Sequence, residues 1–196
     1  MQKLVIASNN PGKLREFQFL LQPLGIEVLT QAQLGIGEAE EPHATFIENA
    51  LAKARHVSLL SGLPALADDS GICVTALGGA PGVLSARYAG DNPKSDRRNN
   101  EKLLLEMQGV TDRRAHYYCV LALLHHAADP QPLIAEGEWH GEIAHAERGD
   151  GGFGYDPLFW LPQLGKMSAE LPHDAKHAIS HRGKAIKMLL DKLKAS

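Results

Sequence analysis

The sequence predicts an α/β fold, arranged as one domain or two small lobes. Three observations predict it. Short apolar runs alternate with segments of helical periodicity from the N-terminus onward, two longer strand-like runs follow in the second half, and 196 residues at 44% hydrophobic content suffice to bury a core.

Lys3 to Ala7 reads as a short buried strand and Ser8 to Gly12 as a turn. Lys13 to Leu24 then reads as a helix with Leu14, Phe17, Leu20, Leu21 and Leu24 on one face. Ile26 to Leu29 is a second short strand. The loop Gly35 to His43 is acidic, carrying Glu38, Glu40 and Glu41. Thr45 to Leu60 is a strongly amphipathic helix, with Thr45 as N-cap and Glu48 three residues on completing a capping box. Ala65 to Ala67 is a brief apolar entry into Asp68-Asp69-Ser70-Gly71, read as a turn where a strand breaks. Alternation resumes at Ile72, Val74 and Ala76 before the loop Gly78 to Gly82. Asn99 to Gln108 predicts a helix, while Ala115 to Leu124 and Leu133 to His140 predict antiparallel strands joined through Asp129-Pro130. Gly149 to Gly154 is a loop and Ala178 to Lys194 a closing helix.

Composition narrows the function classes. A net charge of -3 provides no basic field for a nucleic-acid backbone, whereas a single nucleotide carrying its own metal is compatible with it. The two cysteines, Cys73 and Cys119, form no Cys-x-x-Cys pair, which argues against a disulfide scaffold or structural zinc and suits a reducing cytoplasm. The apolar run near the N-terminus is too short for a secretory signal, and no stretch reaches membrane-spanning length.

Three segments carry chemistry. Ser8-Asn9-Asn10-Pro11-Gly12-Lys13 follows a strand and opens a helix, so backbone N–H groups and the helix dipole favour an anion there and Lys13 adds a positive charge. It lacks the spacing of a P-loop, and an ordinary turn capped by Asn has the same residues. Asp68-Asp69-Ser70-Gly71, with Glu40-Glu41, offers the carboxylates that magnesium takes alongside water and phosphate oxygens, and a carboxylate able to deprotonate a water. A solvated acidic turn is the plainer alternative, against which the apolar flanks Leu66-Ala67 and Ile72 argue. The third set is Gly152-Phe153-Gly154-Tyr155-Asp156-Pro157, Lys176, and Ser180-His181-Arg182. Phe153 between glycines can stack on a flat ring, Asp156 can accept from a base N–H, and His181 and Arg182 supply donors suited to a keto-purine. A glycine-rich turn followed by a Ser-capped helix is its alternative.

His173, His177 and His181 recur every four residues, but without an acidic or thiolate partner they make a poor zinc or nickel site. His125-His126 reads as an exposed strand end, and Trp139 and Trp160 as core or interface residues.

Taken together, these motifs closely resemble the inosine triphosphate pyrophosphatase, or Ham1, family, bacterial members in particular, from Lys3 to about Leu190. Besides the three segments, the resemblance rests on Thr45 to Ala50 with Lys53, and on Gly78 to Gly82 leading to Ser85-Ala86-Arg87-Tyr88. It implies two α/β lobes around a long mixed β-sheet with flanking helices and a central active-site cleft, making up a single domain over 1–196, and a homodimer. The implied activity is magnesium-dependent hydrolysis of dITP, ITP and XTP to monophosphate and pyrophosphate. The implied roles follow by motif. Ser8, Asn9, Asn10, Pro11, Gly12 and Lys13 bind triphosphate, Lys53 binds phosphate, and Asp69 ligates magnesium and accepts the proton of the attacking water. Ser70 touches substrate, and Phe153, Gly154, Tyr155, Asp156, Lys176, His181 and Arg182 contact base and phosphate. Glu41 is the preferred second metal ligand with Glu40 open, and Asp68 is support. Asn9 departs from the glycine of many relatives. Two rivals are a Maf-like pyrophosphatase, disfavoured by the Ser-His-Arg and Phe-Gly-Tyr-Asp segments, and a silent nucleotide sensor, disfavoured by Asp69 with both lysines.

Overall fold

The computed structural model describes residues 2–91 and 93–195, without the side chains of Glu16, Phe19, Leu20 and Leu24. The expected places of Leu20 and Leu24 on the apolar helix face lie outside the described residues. The chain divides into two compact units: Met1–Asp69, Val120–Ala135 and Met188–Ser196 form one, and Ser70–Cys119 with Glu136–Lys187 form the other.

In the first unit, β1 (Lys3–Ile6) pairs in parallel with β2 (Glu27–Thr30) and with the start of β3 (Ala65–Val74). Leu4, Val5 and Ile6 are fully buried, as expected for an unbroken apolar run in a parallel ladder covered on both faces. Between β1 and β2 runs α1 (Pro11–Leu21), which starts two residues earlier than predicted because Asn10 Oδ1 accepts from the N–H of Gly12 at 2.9 Å and of Lys13 at 3.1 Å. The predicted cap of α2 (Phe46–Ser61) is present: Thr45 Oγ1 accepts from Glu48 N at 3.3 Å and donates to Glu48 Oε2 at 2.6 Å. The helix buries Phe46, Ala50, Ala54 and Val57, one face at helical spacing.

The second unit holds α3 (Asp96–Glu106), most of β5 (Leu133–Ile143), β6 (Phe159–Leu161), β7 (Lys166–Met167) and α4 (His173–Ile179). It also holds the first part of β4 (Arg114–Leu124) and of α5 (His181–Ala195). Its core gathers Ile72, Leu103, Met107, Tyr117, Trp139, Tyr155 and Phe159. The seven strands form one sheet in the order β2-β1-β3-β4-β5-β6-β7. The sheet is mixed: β1 pairs in parallel, whereas β5 with β6 and β6 with β7 are antiparallel. The predicted α/β class with a mixed sheet is the observed one.

Two expectations are corrected. Asp68-Asp69-Ser70-Gly71 is no turn but the middle of β3, which runs unbroken from Ala65 to Val74. Acidic residues disfavour strands in isolation, but strand preference is set by context, and here lysines neutralise both aspartates inside the ladder. The closing helix is present but starts at His181 and not at Ala178: Ala178 and Ile179 end a separate helix, α4, and Ser180, extended at φ -70°, ψ 164°, parts the two. Strands β6 and β7 were not predicted, because two or three residues cannot display a period.

Candidate active site

The first unit brings together two lysines and three acids. Lys13, in the first turn of α1, places Nζ 2.6 Å from Asp68 Oδ2. Lys53, on α2, places Nζ 2.6 Å from Glu41 Oε1 and 3.2 Å from Asp69 Oδ1. Asp68 and Asp69 are buried in β3, Glu41 is half-buried, and Glu40 is exposed. Glu41 is therefore the acid of the 35–43 loop that joins the cluster.

Desolvation raises the Asp69 carboxyl above its ordinary value, with Glu41 and Asp68 adding to the rise against the opposing pull of Lys53. Burial works against the Lys53 ammonium, but the negative charges of Asp69, Asp68 and Glu41 prevail and hold it above the usual lysine range. The cluster thus sets a lysine held above its usual range beside a carboxyl raised above its own.

At the start of α1, Asn10 N–H donates to Ser8 Oγ at 3.2 Å and Asn9 Nδ2 donates to Glu38 Oε1 at 2.9 Å. Pro11 and Gly12 occupy the first turn, so the capping geometry anticipated for these residues is the observed one. Ser70 follows Asp69 in β3 and is half-buried.

The second unit assembles the ring-and-donor set. Asp156, 2% exposed, accepts from Ser168 Oγ at 2.8 Å through Oδ1, and through Oδ2 from Phe153 N–H at 2.9 Å and from Lys176 Nζ. This closes the turn Gly152 to Asp156 and leaves Phe153 exposed, with Lys176 Nζ 5.3 Å from its ring centroid. The same turn is braced from α3: Asp96 Oδ2 accepts from Gly154 N–H at 2.7 Å, and Asn100 Nδ2 donates to Gly154 O at 3.1 Å. The Tyr155 hydroxyl donates to Ser85 O at 2.8 Å.

His181 and Arg182 open α5. The break before them depends on Gly183, where a Cβ would lie 1.9 Å from His177 O, and on Ser180 Oγ, which accepts from Gly183 N–H at 3.2 Å. His173 and His177 lie on α4 and His181 on α5, so the three imidazoles do not share one helix.

Several participants escaped sequence reading. Asp68, expected only as support, is the partner of Lys13; Asp96, Asn100 and Ser168 brace the turn at 152–156; Tyr117 stacks on His181. Adjacent amides at the start of a helix, Asn99-Asn100, are the one signal the sequence carries, and their burial, which gives it meaning, is known only from the fold.

A divalent cation fits the first cluster by its donor chemistry. Glu41, Asp68 and Asp69 supply only hard oxygens, which suit magnesium, and not the nitrogen and sulfur that zinc prefers. Among the described residues, no three His, Cys, Asp or Glu groups are set to hold a metal by themselves. Magnesium, which keeps waters and takes substrate phosphates, needs only one or two protein carboxylates. No helix among the described residues is long and apolar enough to cross a membrane.

The Ham1 family model matches residues 4–192. The chain is 64% identical over 196 residues to a dITP/XTP pyrophosphatase of Ralstonia nicotianae, covering 99% of this chain and 98% of the relative. It is 64% identical over 193 residues to that of Nitrosomonas europaea, covering 98% and 95%. Among solved structures it is similar to a HAM1 protein from Coxiella burnetii, with TM-score 0.96, 46% identity and 100% of both chains covered. The Ham1 protein of Staphylococcus aureus gives TM-score 0.91 at 41% identity over 98% of each chain.

Proposed function

This chain belongs to the Ham1 family, and from that premise we propose that it hydrolyses dITP, ITP and XTP to the monophosphate and pyrophosphate with magnesium. The observation that carries the reading is the buried Asp69, its carboxyl raised and ion-paired to Lys53, in a chain 64% identical to dITP/XTP pyrophosphatases.

Ser8, Asn9, Asn10, Pro11, Gly12 and Lys13 bind the triphosphate: the helix N-terminus and Lys13 favour an anion, and phosphate competes with Asp68 for the lysine. Asp69 and Glu41 would hold the metal, Glu41 being preferred over Glu40 because it joins the buried cluster through Lys53 whereas Glu40 is exposed. Magnesium, when bound, supplies Lewis-acid polarisation of phosphoryl oxygens. Asp69 accepts the proton of the water that attacks the α-phosphorus. The α-phosphorus to bridging-oxygen bond breaks, and pyrophosphate leaves. Lys53 offsets the charge that develops, so positioning and electrostatics supply most of the acceleration. Ser70 touches the substrate. Phe153, Gly154, Tyr155 and Asp156 form the base pocket with Lys176, His181 and Arg182, whose donors suit the keto oxygen of hypoxanthine and xanthine. The single two-lobed domain acts as a cytoplasmic homodimer.

Pyrophosphate release from ITP, XTP, GTP and ATP, with and without magnesium, tests the proposal. The expected order has ITP and XTP well above ATP, with turnover lost on chelation. Equal kcat/KM for ITP and ATP would overturn it.

A further inference from the structure

Tyr117 is a buried β4 residue, 9% exposed, outside the set proposed to contact the base. It nevertheless meets both parts of the ring-and-donor set. Its ring lies face to face with His181, centroids 4.7 Å apart and planes inclined by 9°. Its side chain also packs in the same buried core as Tyr155, whose turn carries Phe153 and Asp156.

Neighbours hold Tyr117 still. Phe159 presses edge-on at 4.7 Å and 65°, and Trp139 stacks at 6.3 Å and 25°, also reaching His181 at 6.5 Å. The main chain of α5 is seated as firmly. A Cβ on Gly137 of β5 would stand 2.0 Å from His181 O and 2.7 Å from Ala185 N, so strand and helix backbones meet with no side chain between them. With its backbone set against β5, the torsions left to His181 are those of its side chain, and the Tyr117 ring restricts them.

We propose that Tyr117 is a positioning residue for purine recognition, which backs the His181 ring from the core it shares with Tyr155 and thereby fixes that ring relative to the turn at 152–156. The inference rests on the proposed role of His181 and of residues 153–156 in contacting the base. Two substitutions separate the ring from the hydroxyl: Tyr117→Phe keeps the stacked ring, and Tyr117→Leu removes it while keeping an apolar side chain.

The test measures kcat and KM for ITP and ATP in the full chain, in both Tyr117 variants, in His181→Ala, and in the Tyr117→Leu/His181→Ala double variant. Tyr117→Leu is expected to lower the ITP-to-ATP ratio of kcat/KM by about tenfold, mainly through the KM for ITP. Tyr117→Phe, which keeps the stacked ring, is expected to leave that KM within about twofold, and in the His181→Ala background Tyr117→Leu should change the ratio by less than about twofold. A fall in kcat by the same factor for ITP and ATP, with the ratio unchanged, would mark a merely structural residue and overturn the proposal. So would an equal loss with and without His181. Should Tyr117→Leu not fold, Tyr117→Met takes its place, and an unaltered ITP-to-ATP ratio in it overturns the proposal. A His181→Ala enzyme that keeps the full ITP preference overturns instead the base-site reading on which the inference rests.

Discussion

Lys13 and Asp68 form an ion pair 2.6 Å long between the first turn of α1 and the middle of β3, with the acid 2% exposed. Two neighbouring aspartates therefore have separate cations, Asp68 with Lys13 and Asp69 with Lys53. The consequences of removing each differ.

Asp68→Ala strands a lysine in a site with little water, and breaking such a pair costs about 3 kcal/mol. A urea titration should show an earlier midpoint with an unchanged slope. An unaltered midpoint would mean that the pair contributes nothing to stability.

Asp69→Asn should keep the fold and the melting temperature. The amide still accepts from Lys53, and one of three crowded carboxylates is gone. Turnover of ITP should fall by about 10²- to 10⁴-fold, the usual range for losing a general base. A folded variant with near-normal pyrophosphate release would refute the role given to Asp69.

Gly183→Ala pushes a Cβ to within 1.9 Å of His177 O, at the break that presents His181 and Arg182. Overpacking of this kind costs about 1–3 kcal/mol, and the melting temperature should drop accordingly. Gly37→Ala is the control, since a Cβ there meets nothing within 4 Å, and its melting temperature should stay close to that of the parent.

Asp129 predicts an acid-dependent contribution to stability. Its carboxylate accepts from the N–H groups of His125 at 2.9 Å and Gln131 at 2.8 Å and faces His125 Nδ1 at 3.1 Å, and these backbone N–H groups in particular hold it down at about 2. A depressed carboxyl stabilises the fold fully above its unfolded value of about 3.9 and progressively less as pH falls toward the folded one. The stability gap between the parent and Asp129→Ala should be constant above about pH 5 and shrink between there and pH 2. A gap that does not change with pH would exclude the charge as its origin.

Much of this architecture was legible in sequence because the signals are local. The run Leu4 to Ile6, the Thr45 cap with Glu48, and the turn from Ser8 to Lys13 each depend on residues a few positions apart. The Asp68 to Gly71 segment misled for the same reason. Read locally it breaks a strand, yet β3 lies inside the sheet between β1 and β4, and cations from α1 and α2 neutralise its acids. Nothing near residue 68 in the sequence announces Lys13 or Lys53 as its neutralising partners.

The motifs themselves pointed to nucleotide chemistry, because phosphate, magnesium and a flat base each demand particular groups in short segments: a helix start with a lysine, adjacent carboxylates, a ring between glycines. Pairings were beyond their reach. That Lys53 joins Glu41 to Asp69, that Asp96 and Asn100 brace Gly154, and that Tyr117 backs His181 are contacts across 12 to 64 positions of chain. Packing chooses such partners by shape and by the need to satisfy buried charge, and neither quantity exists until distant segments meet.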